Sequence, residues 1–284
     1  MTTFIPMKDL LDRASKGGYA VPGFCTWNAE TIFTTLKTAE RMKAPVILMS
    51  GPMEFHLFSP SELGAIASRI ATDFGIPVAL HLDHGDTIER VEQSLAGGYS
   101  SVMLDYSRKP YKENVNALKH VAKLAHPKGV TVEGEIGHVG AAGTTAVEGF
   151  GVSSLTEPEE AARYAVETGV DALAVSIGNA HGEYTRLPKL DFERLAEIKK
   201  AVKVPLVLHG GSGTPDNDLR KAIELGIRKV NVATELAVAY RKTIMMKWGE
   251  NKNTWPPIVL SEATRAMEKV VEKWIHLTGA EGKA

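Results

Sequence analysis

Tyr19-Ala20-Val21-Pro22-Gly23-Phe24 runs into Cys25-Thr26-Trp27-Asn28, and this junction decides the fold. The first six residues read as a short buried strand, apolar on both faces as in a parallel sheet. A doubly wound dinucleotide-binding sheet would follow its first strand with a G-x-G-x-x-G turn. Here the strand ends Gly23-Phe24-Cys25, so a closed barrel is the better reading.

Outward from that point, short apolar runs alternate with amphipathic stretches to the end of the chain. Further strands are expected at Val46–Ser50, Pro77–Asp83, Ser101–Asp105, Val130–Glu135, Asp171–Ser176, Pro205–His209 and Lys229–Val232. Helical patterns fill the gaps at Asn28–Met42, Ser61–Phe74, Thr87–Ala96, Tyr111–Ala125, Glu157–Thr168, Phe192–Val202, Asp216–Leu225 and Thr234–Trp248. In the first of these, Asn28 is a plausible N-cap, and Ile32, Phe33, Leu36, Ala39 and Met42 are expected along one buried face. Gly75, Gly129, Gly169 and Gly226 fall just past helix ends, as left-handed C-caps would. Eight strand–helix repeats in order predict a single (β/α)8 barrel domain over residues 1–284. Two extra helices are expected: Pro6–Lys16 plugging the bottom, and Ser261–Leu277 packing outside or meeting a partner.

The 284 residues, 44 % apolar and 24 % charged, suit one globular domain. A net charge of −1 argues against nucleic acid or anionic lipid as a partner, and no apolar run is long enough to span a bilayer. Cys25 is the only cysteine, which fits a reducing cytoplasm.

Barrel enzymes place their chemistry at the C-terminal ends of the strands. Strand three ends Leu80-His81-Leu82-Asp83-His84, strand four at Asp105, strand five at Glu135, strand seven at His209 and strand eight at Asn231. His181 follows strand six in Gly178-Asn179-Ala180-His181-Gly182. Three imidazoles and an open position are the usual ligand set of a catalytic zinc, which assigns His84, His181 and His209 to the metal. Asp83 is placed as the general acid/base, the alternative being a carboxylate that orients a ligand. Asp105 and Glu135 are candidates for orienting ligands, holding a second cation, or capping helices. His81 is either a neighbour of the metal site or a filler of the interior, and His138 stays open. Glycine-rich turns at His209-Gly210-Gly211-Ser212-Gly213 and Asn231-Val232-Ala233-Thr234 can cradle a phosphate on backbone N–H groups and the Ser212 and Thr234 hydroxyls. No strand end carries a lysine, and Lys229 starts its strand, so imine chemistry is disfavoured.

Leu80-His81-Leu82-Asp83-His84-Gly85, Ala180-His181-Gly182, Leu208-His209-Gly210-Gly211-Ser212 and Lys229-Val230-Asn231-Val232-Ala233-Thr234-Glu235-Leu236 together resemble the class II fructose/tagatose-bisphosphate aldolases, the tagatose branch above all. The resemblance implies Zn2+ on the three histidines, Asp83 moving the hydroxyl proton, and reversible cleavage to dihydroxyacetone phosphate and an aldehyde through a metal-bound enediolate. It also implies the donor phosphate on Gly182, Gly210, Gly211, Ser212 and the Asn231–Thr234 turn, with the Asn231 side chain near the enediolate. A monovalent cation (Na+ or K+) beside that phosphate and a homodimer or homotetramer are implied as well.

Two stretches depart from the family pattern. The loop after strand five normally carries Gly-Gly-x-Glu-Asp, but here reads Gly140-Ala141-Ala142-Gly143-Thr144-Thr145. Glu148 is the nearest replacement acid, whereas Glu133 is expected to point the other way along its strand. The family's Ala-Phe-Asn at the end of strand one is Gly23-Phe24-Cys25, with Cys25 read as a small wall residue. Three other readings follow: an aldolase for a different, singly phosphorylated ketose; a metal-dependent sugar-phosphate isomerase or epimerase; and a non-catalytic subunit. A full ligand set argues against the last.

Overall fold

The computed structural model describes residues 4–142, 153–182 and 187–284. Eight parallel strands close into a barrel in sequence order: β1 (Val21–Cys25), β2 (Val46–Ser50), β3 (Val78–Gly85), β4 (Ser101–Leu104), β5 (Thr131–Ile136), β6 (Ala172–Val175), β7 (Leu206–Leu208) and β8 (Ile227–Val232). β8 pairs with β1, Val21 opposite Lys229 and Phe24 opposite Val232, so no edge is left open. Every residue of β1, β2, β4, β6 and β7 is buried, as both faces of such strands require.

The helices are α1 (Met7–Gly17), α2 (Ala29–Arg41), α3 (Pro60–Ala71), α4 (Ile88–Ala96), α5 (Tyr111–Ala125), α6 (Pro158–Thr168), α7 (Phe192–Ala201), α8 (Asp216–Glu224), α9 (Thr234–Glu250) and α10 (Pro256–Leu277). Asn28 caps α2 as its sequence suggests, its Oδ1 accepting the Thr31 N–H. Ile32, Leu36 and Ala39 are buried there, but Phe33 is 49 % exposed. Neighbours on a helix stand about 100° apart, so Ile32 and Phe33 do not share one narrow face. Gly129 and Gly169 do take up left-handed φ at helix ends (71° and 72°). Gly75 does not: α3 has already ended at Ala71.

α1 closes the bottom. Ile5 donates its N–H to Val78 O, Lys8 N–H bonds Thr131 Oγ1, and Ser101 Oγ lies 3.6 Å from Met7 Sδ. Those three partners are the first residues of β3, β5 and β4, so the opposite end of the barrel stays open for ligands. α10 starts five residues earlier than the sequence pattern suggests and packs on α2 and α9. Among the described residues, no helix is long and apolar enough to cross a membrane.

Candidate active site

The open end is made from β3 upward. In a regular strand Asp83 and His84 would face opposite sides. Here the register of β3 against β4 slips between Leu82 and Gly85, and His84 takes φ of 47°, unusual for a residue with a side chain. That irregularity lets both side chains line one cavity of about 580 Å3.

Each predicted histidine has one ring nitrogen held by a neighbour. His84 Nδ1 is 2.8 Å from Asp105 Oδ2, His181 Nδ1 is 3.1 Å from the Val139 carbonyl, and His209 Nε2 is 2.8 Å from Glu133 Oε1. The remaining nitrogens converge. His84 Nε2 and His181 Nε2 stand 3.2 Å apart, and ligand atoms of all three histidines lie within 4.8 Å of one another. His209 Nδ1 is buried without a hydrogen-bond partner, although Glu135 Oε2 is 3.0 Å away. Three nitrogens aimed at one point, each backed by an acceptor that fixes its tautomer, fit a divalent metal of the zinc type. His84, Asp105 and Glu135 form a second such group that shares His84.

The electrostatics follow from burial and neighbours. Burial alone would lower His209, but Glu133 and Glu135 push it up to about 10. Burial and the other two imidazoles lower His181 to about 3. Burial opposes ionisation of Asp83, yet His84 and Lys229 hold its carboxyl below the usual range. Asn231 Nδ2 donates to Asp83 Oδ1 at 2.9 Å, joining the ends of β3 and β8.

Glu133 does not point away. It lies on the same face as Glu135, as residues two apart on a strand must. It is fully buried, 2.8 Å from both His209 Nε2 and the Lys229 Nζ. Burial raises its pKa, but Lys229 and the histidines bring it down to about 2. Lys229 is thus an interior counter-ion. His81 fills the interior beside them, with Nδ1 2.8 Å from Ser101 Oγ, and His138 Nδ1 meets Ser107 Oγ at 2.8 Å. The sequence reading missed the Glu133–Lys229 pair, although Glu133 and Glu135 at a spacing of two were a usable signal.

Of the expected phosphate residues, Gly182, Ala233 and Thr234 line the cavity. α9 begins at Thr234 after Ala233, whose side chain caps nothing, so the N–H groups of its first turn other than that of Glu235 are suited to an anion. Gly210 has φ of 64° and sits against Ala180 O, where a Cβ would come within 2.0 Å. The expectation for Gly211 needs correction: its N–H already donates to Asn231 O at 3.0 Å, so the glycine packs the two turns together. Ser212 Oγ likewise accepts the Glu235 N–H, and Val232 is wholly buried. Glu148 lies outside the described residues. Gly140 and Ala142, at the start of that loop, are tied to His181 through its N–H and its carbonyl.

The profile of the family described as fructose-bisphosphate aldolase class-II matches residues 5–283. The crystal structure of the YdjI aldolase from Escherichia coli K12 is similar, with 34 % identity and a TM-score of 0.87, over 99 % of this chain and 99 % of that one. The fructose-bisphosphate aldolase from Campylobacter jejuni shares the fold, with a TM-score of 0.82 at 21 % identity over 98 % of this chain and 95 % of that one. With nearly its whole length matched and its polar strand ends gathered at the mouth of the barrel, the chain belongs to the class-II fructose-bisphosphate aldolase family and is a lyase.

Proposed function

We propose that the chain is a zinc enzyme that reversibly cleaves a phosphorylated ketose, of the tagatose or fructose 1,6-bisphosphate kind, into dihydroxyacetone phosphate and an aldehyde. The observation that carries this reading is the convergence of His84 Nε2, His181 Nε2 and His209 Nδ1 beside the Asp83 carboxylate. Those three nitrogens would hold the metal, with Asp105 and Glu135 as a second or alternate set. When bound, zinc supplies Lewis-acid polarisation of the ketone and a sink for the negative charge that develops there.

The chain's own groups do the rest. Asp83, kept ionised by His84 and Lys229 and oriented by Asn231, takes the proton from the carbon-4 hydroxyl as the carbon-3–carbon-4 bond breaks. The bonding pair passes into the ketone half, and the other half leaves as the aldehyde. In condensation Asp83 returns the proton to the new hydroxyl. The start of α9, with Gly182 and Thr234, would hold the donor phosphate. Glu148 is our assignment for proton transfer at the donor's α-carbon, and the family acid it replaces is absent from the sequence.

The test is release of dihydroxyacetone phosphate from fructose, tagatose, sorbose and psicose bisphosphates by zinc-loaded protein, with a chelated control. Chelator-sensitive release from one of them is the expected result. A zinc-loaded protein that isomerises a sugar phosphate and releases no triose would reject cleavage.

A further inference from the structure

One acid in the cavity wall has no role in the chemistry above. Glu54 ends the 3-10 turn Pro52–Glu54, which follows β2. Its Oε2 accepts the Gly51 N–H at 2.7 Å, and the Cys25 thiol hydrogen-bonds the same carboxyl. Gly51 itself is pressed against β3: a Cβ there would sit 2.4 Å from the Asp83 carbonyl oxygen. The Glu54 carboxyl is therefore held by two hydrogen bonds in the wall it shares with Cys25, Asp83 and His84. It is half-buried, and the cavity is the space onto which it opens. Burial, joined by the charge of Asp83, pushes this carboxyl up against the pull of its hydrogen bonds. A turn-capping role alone would not require a carboxyl beside a second carboxylate, where like charge opposes it.

The donor groups enter from the β6 and β8 ends, whereas Glu54 and Cys25 come from the ends of β2 and β1. Asp83, on β3 next to β2, is the group that handles the aldehyde oxygen in the reading above, on which this inference rests. Carbons of the aldehyde beyond its carbonyl would accordingly run along the Cys25–Glu54 wall. We propose that Glu54 binds the acceptor aldehyde, accepting a hydrogen bond from the hydroxyl on the carbon next to its carbonyl, and so selects 2-hydroxyaldehydes. Discrimination is strong in such a site because an acceptor lacking that hydroxyl leaves a half-buried carboxyl without its partner.

The experiment measures kcat/KM for condensation of dihydroxyacetone phosphate with glycolaldehyde and with acetaldehyde, using zinc-loaded wild type, Glu54→Gln and Glu54→Ala. Exchange of the donor's α-proton, which needs no aldehyde, is recorded alongside to normalise each variant's donor half. The glycolaldehyde-to-acetaldehyde ratio should fall about 10- to 100-fold in Glu54→Ala, the range expected for one hydrogen bond to a charged group. Glu54→Gln, which keeps an acceptor oxygen and the turn, should fall between wild type and Glu54→Ala. An unchanged ratio in both variants, with α-proton exchange retained, overturns the role of Glu54 and leaves the aldolase reading standing. Failure of zinc-loaded wild type to exchange the α-proton overturns both.

Discussion

Replacing Glu133 with Gln should both destabilise the barrel and loosen the metal. Glu133 and Lys229 are fully buried with Oε2 and Nζ 2.8 Å apart. Unit charges at that separation attract by about 6 kcal/mol at an effective dielectric constant of about 20. Much of this offsets desolvation in the intact pair, but Glu133→Gln leaves the buried Lys229 ammonium without its direct ion-pair partner. The expected loss of unfolding free energy is about 3–5 kcal/mol. The same change weakens the acceptor on His209 Nε2, 2.8 Å away, which orients Nδ1 towards the proposed metal. Loss of such a backing acceptor costs about 10- to 100-fold in metal affinity. Urea unfolding of metal-free protein reads the first effect, and competition with a zinc chelator reads the second. A companion double variant, Glu133→Leu with Lys229→Met, should regain much of the stability while metal affinity stays low, because the buried charge has gone but the acceptor has not returned. If Glu133→Gln unfolds at the wild-type midpoint and binds zinc equally well, the interior ion pair has neither role.

His209→Ala should lose more zinc affinity than any change of a backing residue, beyond about 100-fold, and full zinc content by metal analysis would remove His209 from the ligand set. Asp83→Ala should keep zinc while bisphosphate cleavage falls about 10²- to 10⁴-fold; wild-type turnover with metal bound would exclude Asp83 from proton transfer. Burial and Lys229 hold His81 at about 3, against 6.5 for a free imidazole, so the folded chain resists a proton that the unfolded chain accepts. His81 thus contributes a loss of stability that begins as pH falls below 6.5 and grows by about 1.4 kcal/mol per unit towards 3, roughly 2 kcal/mol by pH 5. His81→Gln should flatten the urea-midpoint profile between pH 7 and 5, and a profile parallel to wild type would show that His81 is not held neutral.

The barrel was legible because its repeats are local. Short doubly apolar strands alternate with helices whose caps and faces recur within each unit, so strand existence and order follow from periodicity. The cluster of strand-end histidines was legible for a related reason: a closed parallel barrel brings the C-terminal end of every strand to one mouth, whatever lies between. Boundaries were less so. α3 starts at Pro60 behind a Ser59 cap and stops well short of Gly75, since apolar spacing marks a face and leaves the ends to hydrogen bonding.

What only the tertiary structure decided depends on contacts between residues distant in the chain. The slip of β3 against β4, with His84 at positive φ, turns two consecutive residues into one cavity, which a period of two alone forbids. Gly211 becomes a packing glycine because its N–H meets Asn231 O, twenty positions on along the chain. Glu133 and Lys229 become an ion pair because barrel closure sets β5 and β8 across one interior. Glu54 reaches the cavity wall because Gly51 lets its turn press on β3. Residue types and their spacing determined which chemistry the chain could perform, and closure of the barrel determined which of those groups meet, since that depends on register and through-space distance across the interior.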